Sequence, residues 1–458
     1  MLQIRYAYIF FTLTVTTSFS FGQTASYDPN RQYAVDTLKS DMHFLMKKME
    51  GIHPSLYRYT PKPEFEAFFD SLDHTINRPM NEQELLSLVT LLNEKIDDGH
   101  TMFLPSTAAT EYNNTKGRFI PLSVVCVGGK LYITENCSKD SNIQAGEELL
   151  EINGVVADDV MAQLIRRMMR DAHNLNYPLW TLNHYFTAFY SFAFGQPSRF
   201  SLKIKNSFGR SYFVQIDALP KDSIRIIRKL RYADKYPITI AGRGITLEEN
   251  SQTRVAILTI KSFDPDLINS MYKQDFNQEM DSAFVALKRH HIQDLILDLR
   301  DNQGGDFEQG RYLLSYLLVT PSLYLLSGKE SRLIRLKANR FSGGLSVLIN
   351  GGSFSNTVIV SSILEREKRA IFIGEETGGN KHIINGKADE WVLPHTGIRC
   401  NISTSTFLIR PGPNDGHGIV PGYPIHSTIA DILTQRDITK ELAIKMFAEH
   451  LIMTQSPP

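Results

Sequence analysis

The sequence feature that most constrains the fold is a nearly unbroken apolar run, Leu295-Ile296-Leu297-Asp298-Leu299-Arg300. A strand with so few polar positions is expected to be covered on both faces, which is typical of parallel sheets. Further strands are predicted at 255–260, 345–349 and 370–373, alternating with helices at 274–290, 308–319 and 357–368. This alternation predicts an α/β domain from about residue 236 onward, with a mostly parallel sheet and crossover helices.

Within the segment 23–117, residues 31–96 show the periodicity of helices instead. Apolar residues recur at spacings of three and four, as the buried face of a helix requires, in three groups: Ala34, Leu38, Met42, Leu45 and Met49; Phe65, Phe68, Phe69 and Leu72; and Leu85, Leu88, Val89 and Leu92. Pro54 is expected to end the first helix, because the residue before a proline is disfavoured in helical conformation. This segment therefore predicts a small helical N-terminal module.

Between about 118 and 235 the apolar period changes to two, which is typical of half-buried strands. The predicted strands are 121–127, 130–135, 199–205 and 211–217, with a further strand in 144–154 that ends in an Asn-Gly turn. The aromatic residues of 177–195 can either pack in a core, which we favour, or line an apolar pocket. This segment predicts a β-rich module.

The charge balance limits the kind of partner. The chain has 49 Lys and Arg against 49 Asp and Glu, a formal net charge of zero. A dedicated nucleic-acid binder usually carries a basic excess, and a polybasic membrane patch also requires one. We therefore expect no nucleic-acid partner.

The first residues have the pattern of a secretory signal peptide. Arg5 precedes an apolar stretch, 8–15, that is too short to span a bilayer, and Ser20 and Gly22 are small residues suited to cleavage before Gln23. A buried N-terminal strand is the alternative. We expect residues 1–22 to be removed and the protein to be exported to the periplasm or the cell exterior. Stable membrane insertion is not expected afterwards.

The three cysteines are Cys126, Cys137 and Cys400, and an odd number leaves at least one free thiol. A two-residue Gly-Gly turn after 127 would pair Cys126 with Leu131 and leave Cys137 well past that position, so a disulfide between them is not favoured. The spacings fit no zinc pattern. We expect neither a metal nor an organic cofactor.

Four loops contain residues that could carry chemistry. They are Asp298-Leu299-Arg300-Asp301-Asn302-Gln303-Gly304-Gly305, Asn350-Gly351-Gly352-Ser353-Phe354-Ser355-Asn356, Asp98-Gly99-His100-Thr101 and Asn414-Asp415-Gly416-His417-Gly418-Ile419-Val420-Pro421. Paired glycines after a strand let backbone N–H groups approach a ligand closely. A serine at a strand-to-helix junction is followed by a backbone N–H at the helix N-terminus, which can stabilise negative charge that develops during a reaction. Each loop also has an ordinary interpretation, as a turn, a helix cap or a surface histidine.

Taken together in their order along the chain, the four loops resemble those of the C-terminal processing (tail-specific) serine peptidases. The resemblance is strongest to the branch with the tricorn protease core and the interphotoreceptor retinoid-binding protein repeats. Gly374-Glu375-Glu376-Thr377-Gly378-Gly379 also matches, whereas Gly422 stands where that family usually has an Asp. Residues 145–154 resemble the core segment of a PDZ domain. The resemblance implies a PDZ-like domain at 118–235 and a crotonase-like catalytic domain at 236–458.

The resemblance also implies a role for each matching residue. Ser355 would be the nucleophile, with Ser353 as the alternative if the register of the turn shifts, and His100 would be the general base. The remaining implied site residues are Gly304, Gly305 and Asn356, as backbone donors to the oxyanion, and Asp415, as the group that orients or electrostatically supports the base.

The base is the point at which this chain departs from the lysine-dependent branch of the family. Those relatives have a lysine in Gly-Glu-x-Thr-x-Gly-Lys, whereas here Asn380 occupies the lysine position and Lys381 follows one residue late. An unassisted hydroxyl is a poor nucleophile at neutral pH. The departure therefore favours a Ser–His site over a Ser–Lys dyad.

The resemblance implies an exported serine endopeptidase that acts on peptides or unfolded proteins through an acyl-enzyme intermediate. The PDZ-like domain would hold a peptide as an added strand. Two alternatives stay open: a non-catalytic binding protein for apolar ligands or peptides on the same fold, and an esterase with the same residues. The sequence does not predict an oligomeric state.

Overall fold

The computed structural model describes residues 27–235, 242–328 and 331–448. The expected signal peptide, residues 1–22, lies outside these ranges, so its removal stays a prediction. None of the helices among the described residues is long and apolar enough to cross a membrane.

The first region, 27–117, is helical. Its helices are Val35–Ile52, Lys62–Thr75, Glu82–Val89, Asn93–Ile96 and Thr107–Thr115, with a 3-10 turn at Thr90–Leu92 and one short strand, β1, Met102–Leu104. The first helix ends at Ile52, immediately before His53-Pro54, as expected. Its buried face packs in a core that also contains Cys400 and Ile402 from far along the chain. The helical region is thus completed by strands of the third region.

The second region, 118–235, is β-rich. Its strands are β2 Arg118–Phe119, β3 Leu122–Val127, β4 Lys130–Asn136, β5 Glu148–Ile152, β6 Val155–Val156, β7 Arg199–Lys205, β8 Ser211–Asp217 and β9 Leu219–Pro220. Its helices are Ala157–Ile165, Asn176–Phe194 and Lys221–Arg231, with a 3-10 turn at Ala233–Lys235. The main sheet is antiparallel in the order β3-β4-β5-β7-β8, with β6 added to β5. Cys126 pairs with Leu131 as predicted, and all three cysteines are free.

The aromatic stretch 177–195 forms most of the helix Asn176–Phe194. Phe186 and Tyr190 belong to the core beneath the antiparallel sheet, whereas Tyr177 and Trp180 pack against Phe354 of the third region. These residues therefore fill cores, in agreement with the favoured interpretation.

The third region, 242–448, contains the expected α/β alternation. Its strands are β10 Ile245–Asn250, β11 Val255–Ile260, β12 Asp294–Asp298, β13 Gly344–Ile349, β14 Ile371–Gly374, β15 Ile383–Val392, β16 Arg399–Leu408 and β17 Tyr423–Pro424. Its helices are Pro265–Tyr272, Phe276–Arg289, Phe307–Leu317, Asn356–Arg366, Ile429–Leu433 and Ile438–Ala448. The main sheet runs β10-β11-β12-β13-β14-β17, and only the β10–β11 pair is antiparallel.

Strand β12 is covered on both faces, as its apolar sequence predicted. Leu295 and Leu297 pack in the large core on one side of the sheet, while Ile296 packs on the other side against Met446 and Phe447 of the last helix. The carboxyl ends of β12 and β13 lie side by side because the two strands are parallel neighbours. The loops after them, 299–305 and 350–355, therefore meet at one edge of the sheet.

A long antiparallel ribbon, β15 with β16, was not predicted from the sequence. β1 adds to its edge, with Phe103 opposite Cys400. This pairing ties the chain just after His100 to the third region. It is the connection that brings the histidine loop to the third region.

Candidate active site

Ser355 lies at the junction between β13 and the helix Asn356–Arg366. Its backbone has φ 54° and ψ −121°, a conformation that non-glycine residues rarely adopt. Gly304 lies so close that a Cβ there would be 2.7 Å from the Asn356 nitrogen and 2.8 Å from Ser355 Cβ. Only glycine fits this approach, so the loop after β12 and the serine turn are packed together. Such enforced strain is typical of functional positions.

His100 contacts this serine. His100 Nε2 lies 3.0 Å from Ser355 Oγ, although the two residues are 255 positions apart in the chain. The imidazole stacks on Phe354, with ring centroids 5.0 Å apart. A histidine nitrogen at this distance can accept the hydroxyl proton.

Ser353, the alternative nucleophile, is engaged elsewhere. It is fully buried, and its Oγ donates to the Leu299 carbonyl at 2.8 Å and accepts from the Asn350 N–H at 3.1 Å. The hydroxyl thus joins the serine turn to the loop after β12. Its hydrogen bonds give it a structural position behind Ser355.

A buried carboxylate, Asp98, braces the histidine loop. It accepts hydrogen bonds from the His100 backbone N–H at 3.0 Å and the Thr101 hydroxyl at 2.7 Å, and it contacts His53 Nε2 at 2.8 Å. Because the Ser55 N–H donates to His53 Nδ1, the ring proton of His53 belongs on Nε2, directed at Asp98. Burial raises the pKa of Asp98, but the contacts with His53 outweigh it and hold that pKa well below its usual range.

The environment of His100 favours its neutral form. Burial lowers the pKa of the imidazole below its ordinary value, and Asp98 acts in the opposite direction. Its Nδ1 is buried and has no hydrogen-bond partner among the described residues. A neutral imidazole is the form that a general base requires.

The structure does not bring Asp415 to His100, contrary to expectation. Its carboxylate forms an ion pair with Lys381 Nζ at 3.0 Å and lies 3.9 Å from His382 Nε2. Although burial acts in the opposite direction, hydrogen bonds from the His417 N–H and Lys381 lower the pKa of Asp415. This carboxylate therefore neutralises Lys381, and among the described contacts it has none with His100.

Asn380, in the position of the family lysine, is also committed to the framework. It is fully buried, its Nδ2 donates to Asn414 Oδ1 at 2.7 Å, and its Oδ1 accepts from the His382 N–H at 2.8 Å. The ammonium of Lys381 is directed at Asp415. These contacts agree with a Ser–His arrangement.

The expected oxyanion donors differ in how they are used. Asn356 is the first residue of its helix, where a backbone N–H has no partner within the helix. The Gly304 N–H donates to Asn302 Oδ1 at 2.9 Å, so it is already engaged. The Phe263 N–H donates to the Gly304 carbonyl, and the Phe263 carbonyl accepts from the Asp306 N–H. In such a parallel bridge the N–H of Gly305 is directed away from Phe263.

A stack of aromatic rings supports the site from behind. Phe354 stacks on Tyr177 with centroids 4.0 Å apart, and Tyr177 stacks on Trp180 at 5.8 Å. Trp180 Nε1 donates to Asp301 Oδ1 at 2.7 Å. The helix Asn176–Phe194 of the second region is thereby packed against both the serine turn and the loop after β12.

One group of the described residues has the spacing of metal ligands: Asp98, His100 and Asp171, one ligand atom of each lying within 4.8 Å of the others. The Asp98 oxygens already accept hydrogen bonds from Thr101 and the His100 backbone. The donor set is therefore used within the protein, and we assign no metal to it.

Sequence reasoning missed several of these residues. His53 and Asp171 were not predicted as site residues, and Trp180 was considered only among the aromatic residues of 177–195. Asp98 carried a signal, since it stands two residues before His100 in a compact motif. Asp171 carried none, because its relation to the site depends on contacts between distant segments.

Comparison with known proteins finds a peptidase family within the third region. Residues 254–399 match the model of peptidase family S41. The chain is 26% identical over 162 residues to the carboxyl-terminal-processing peptidase 2, chloroplastic, of Arabidopsis thaliana, and 28% identical over 182 residues to the tail-specific protease of Haemophilus influenzae. These matches cover 33% and 39% of this chain, but only 31% and 24% of the two relatives.

The fold extends the likeness further along the chain. The crystal structure of mature CPAF superposes with a TM-score of 0.64 at 16% identity, covering 91% of this chain and 98% of that chain. Such a likeness concerns the fold, and it extends well beyond the 146 residues of the segment that matches the family model. Ser355 itself lies inside the segment that matches the family model. Residues 254–399 are therefore similar to a peptidase family S41 domain, and the two curated relatives that match this chain are processing and tail-specific peptidases.

Proposed function

We propose that this protein is a serine endopeptidase of the C-terminal processing type, with Ser355 as nucleophile and His100 as general base. The observation that carries the proposal is the 3.0 Å contact between His100 Nε2 and Ser355 Oγ. It joins the segment that matches the family S41 model to a histidine loop outside that segment. The names of the curated relatives, both processing or tail-specific peptidases, support the same reaction class.

The proposed reaction is acyl transfer. His100 Nε2 accepts the Ser355 hydroxyl proton while Oγ attacks the peptide carbonyl, and it then donates that proton to the leaving amine. Water then attacks the acyl-enzyme. His100 Nε2 accepts a proton from the water and donates it to Ser355 Oγ as that oxygen leaves. The N–H groups of Asn356 and Gly305 stabilise the tetrahedral oxyanion, each contributing about 3 kcal/mol.

Substrates of this reaction are peptides or unfolded protein segments. The second region would act as a PDZ-like module that holds a peptide against a sheet edge, and the third as a crotonase-like catalytic domain. The main sheet of the second region ends in β3 on one side and β8 on the other, and in the described structure neither outer edge pairs with a further strand. Export through residues 1–22 is part of the same proposal.

Covalent labelling tests the nucleophile. A fluorophosphonate probe should label the wild-type protein at Ser355, located by peptide mass spectrometry, and should not label Ser355→Ala. Ser353→Ala is the matched control, and it should still be labelled. An unlabelled wild-type protein that retains its fold would favour the non-catalytic binding protein.

Turnover distinguishes the peptidase from the esterase. An unfolded protein such as reduced casein should be cleaved by the wild-type protein and not by Ser355→Ala. Hydrolysis of a p-nitrophenyl ester without any cleavage of casein or of short peptides would replace the proposed peptidase activity by an esterase activity.

The buried packing of Tyr177 and Trp180 removes the main structural support for the alternative of an apolar-ligand carrier.

A further inference from the structure

Asp171 connects the three regions at the histidine loop. It belongs to the second region, between the helices Ala157–Ile165 and Asn176–Phe194, and only 3% of it is exposed. One carboxylate oxygen accepts the Gly99 N–H at 2.9 Å, and the other accepts the Asn380 N–H at 3.4 Å. A single side chain thus contacts the residue before the base and the residue in the family lysine position.

The same carboxylate lies next to the imidazole. One ligand atom from each of Asp171, Asp98 and His100 lies within 4.8 Å of the other two. His100 Nε2 is directed at Ser355, whereas Nδ1 is buried without a hydrogen-bond partner among the described residues. A buried ring nitrogen without a partner is costly, and catalytic contacts often tighten only when substrate is bound.

The surroundings of Asp171 leave its charge poorly compensated. Burial and the negative charge of Asp98 raise the pKa of Asp171 to about 7, against the hydrogen bonds from Gly99 and Asn380. The titratable or charged groups that face it are Asp98, His100, Arg58, Tyr59 and Tyr177. A positive charge formed on His100 would lie close to both the Asp98 and the Asp171 carboxylates.

We propose that Asp171, and not Asp415, is the positioning residue of the general base. This inference rests on the proposed Ser355–His100 function. The ionised Asp171 carboxylate holds the Gly99 backbone, favours the tautomer with its proton on Nδ1, and stabilises the imidazolium. The proton taken from Ser355 stays on Nε2 until it reaches the leaving amine, and the Nδ1 proton is not transferred.

Protonation of Asp171 removes this support. A neutral carboxyl can donate to Nδ1, which places the ring proton on Nε2, where it blocks acceptance of the serine proton. Activity should therefore rise with pH as Asp171 ionises, near pH 7. The His100 ionisation lies lower, since burial lowers its pKa.

The test is the pH dependence of kcat/KM for Asp171→Asn. The asparagine can still accept the Gly99 N–H, whereas its Nδ2 would face the Asn380 N–H, so only that longer contact is lost. We expect the activity plateau to fall about 10- to 100-fold, because a charge about 5 Å from the imidazolium is lost. The acidic limb near pH 7 should move to lower pH. A merely structural role would lower the plateau and leave the limb in place, and that result would overturn the proposal.

Asp415→Asn is the matched control, with the same chemical change on the carboxylate that neutralises Lys381. Its acidic limb should coincide with that of the wild-type protein. A shifted limb in Asp415→Asn together with an unshifted limb in Asp171→Asn would return the supporting role to Asp415.

A readout without turnover separates this inference from the proposed function. In ¹⁵N-histidine-labelled Ser355→Ala, the His100 resonances, assigned by comparison with His100→Gln, should show mainly the Nδ1–H tautomer at pH 8. Adding Asp171→Asn should give a mixture of tautomers. Unchanged resonances would refute the role of Asp171. A wild-type protein that neither cleaves peptides nor reacts with the fluorophosphonate probe would instead refute the peptidase function.

Discussion

The buried carboxylate of Asp171 should make folding stability depend on pH in a direction opposite to that of most acidic groups. Its pKa is about 7 in the folded protein, against 3.8 for an ordinary aspartate. A folded-state pKa raised above the unfolded value means that the folded protein binds the proton more tightly. The protonated carboxyl is therefore tolerated below pH 4, and stability is lost as pH rises from about 4 to about 7.

The size of the effect follows from the shift. Each pKa unit corresponds to about 1.4 kcal/mol, so a shift of roughly three units costs at most about 4 kcal/mol once Asp171 is fully ionised. Asp171→Asn removes the ionisation and keeps the shape. Relative to the wild-type protein, the variant should thus become progressively more stable as pH rises, by roughly 2–4 kcal/mol between pH 4 and pH 8.

The assay is urea unfolding at a series of pH values, followed by tryptophan fluorescence. Trp180 belongs to the ring stack behind Phe354, so its emission reports on this part of the structure. The stabilities of variant and wild type are compared at the same pH, since groups remote from Asp171 titrate equally in both. A stability difference between Asp171→Asn and wild type that stays constant from pH 4 to pH 8 would refute the reasoning.

Asp415→Asn supplies a control of opposite sign. Because the pKa of Asp415 is lowered in the fold, its carboxylate stabilises the protein at neutral pH, and this contribution is lost as the solution becomes acidic. The variant should be slightly less stable than wild type at pH 7 and equal to it in acid. The effect should be small, because the Asp415 side chain is 46% exposed and its ion pair is screened by solvent.

Three further predictions concern the catalytic loops. His100→Ala should lose nearly all peptidase activity, at least about 10³-fold in kcat/KM, whereas Lys381→Ala should retain most of it; the reverse result would restore a Ser–Lys dyad. Ser353→Ala should keep activity within about tenfold but lose about 1–2 kcal/mol of unfolding free energy, since two buried hydrogen bonds of its hydroxyl are removed. Gly304→Ala should lower kcat more than about tenfold in steady-state assays, because φ is 93° there and the new methyl would press on Asn356 and Ser355.

The match between sequence and structure is best where the pattern is local. The apolar run of β12, the helix ending before Pro54 and the pairing of Cys126 with Leu131 follow from periodicity and turn chemistry. The helix Asn176–Phe194 was not predicted, since its aromatic residues show no clear spacing of three and four. The ribbon β15–β16 was missed because its strands pack against the helical region, which lies some three hundred residues earlier.

The sequence by itself determined the order of the modules, the serine turn after β13 and the absence of lysine at position 380. These depend on residue types within one short segment, where backbone preferences act directly. Only the tertiary structure decided which carboxylate faces the base. Asp98 and Asp171 reach His100 through the pairing of β1 with β16 and through hydrogen bonds across three regions, whereas Asp415 is held by Lys381. Burial and charge compensation arise from such distant contacts, and no local spacing encodes them.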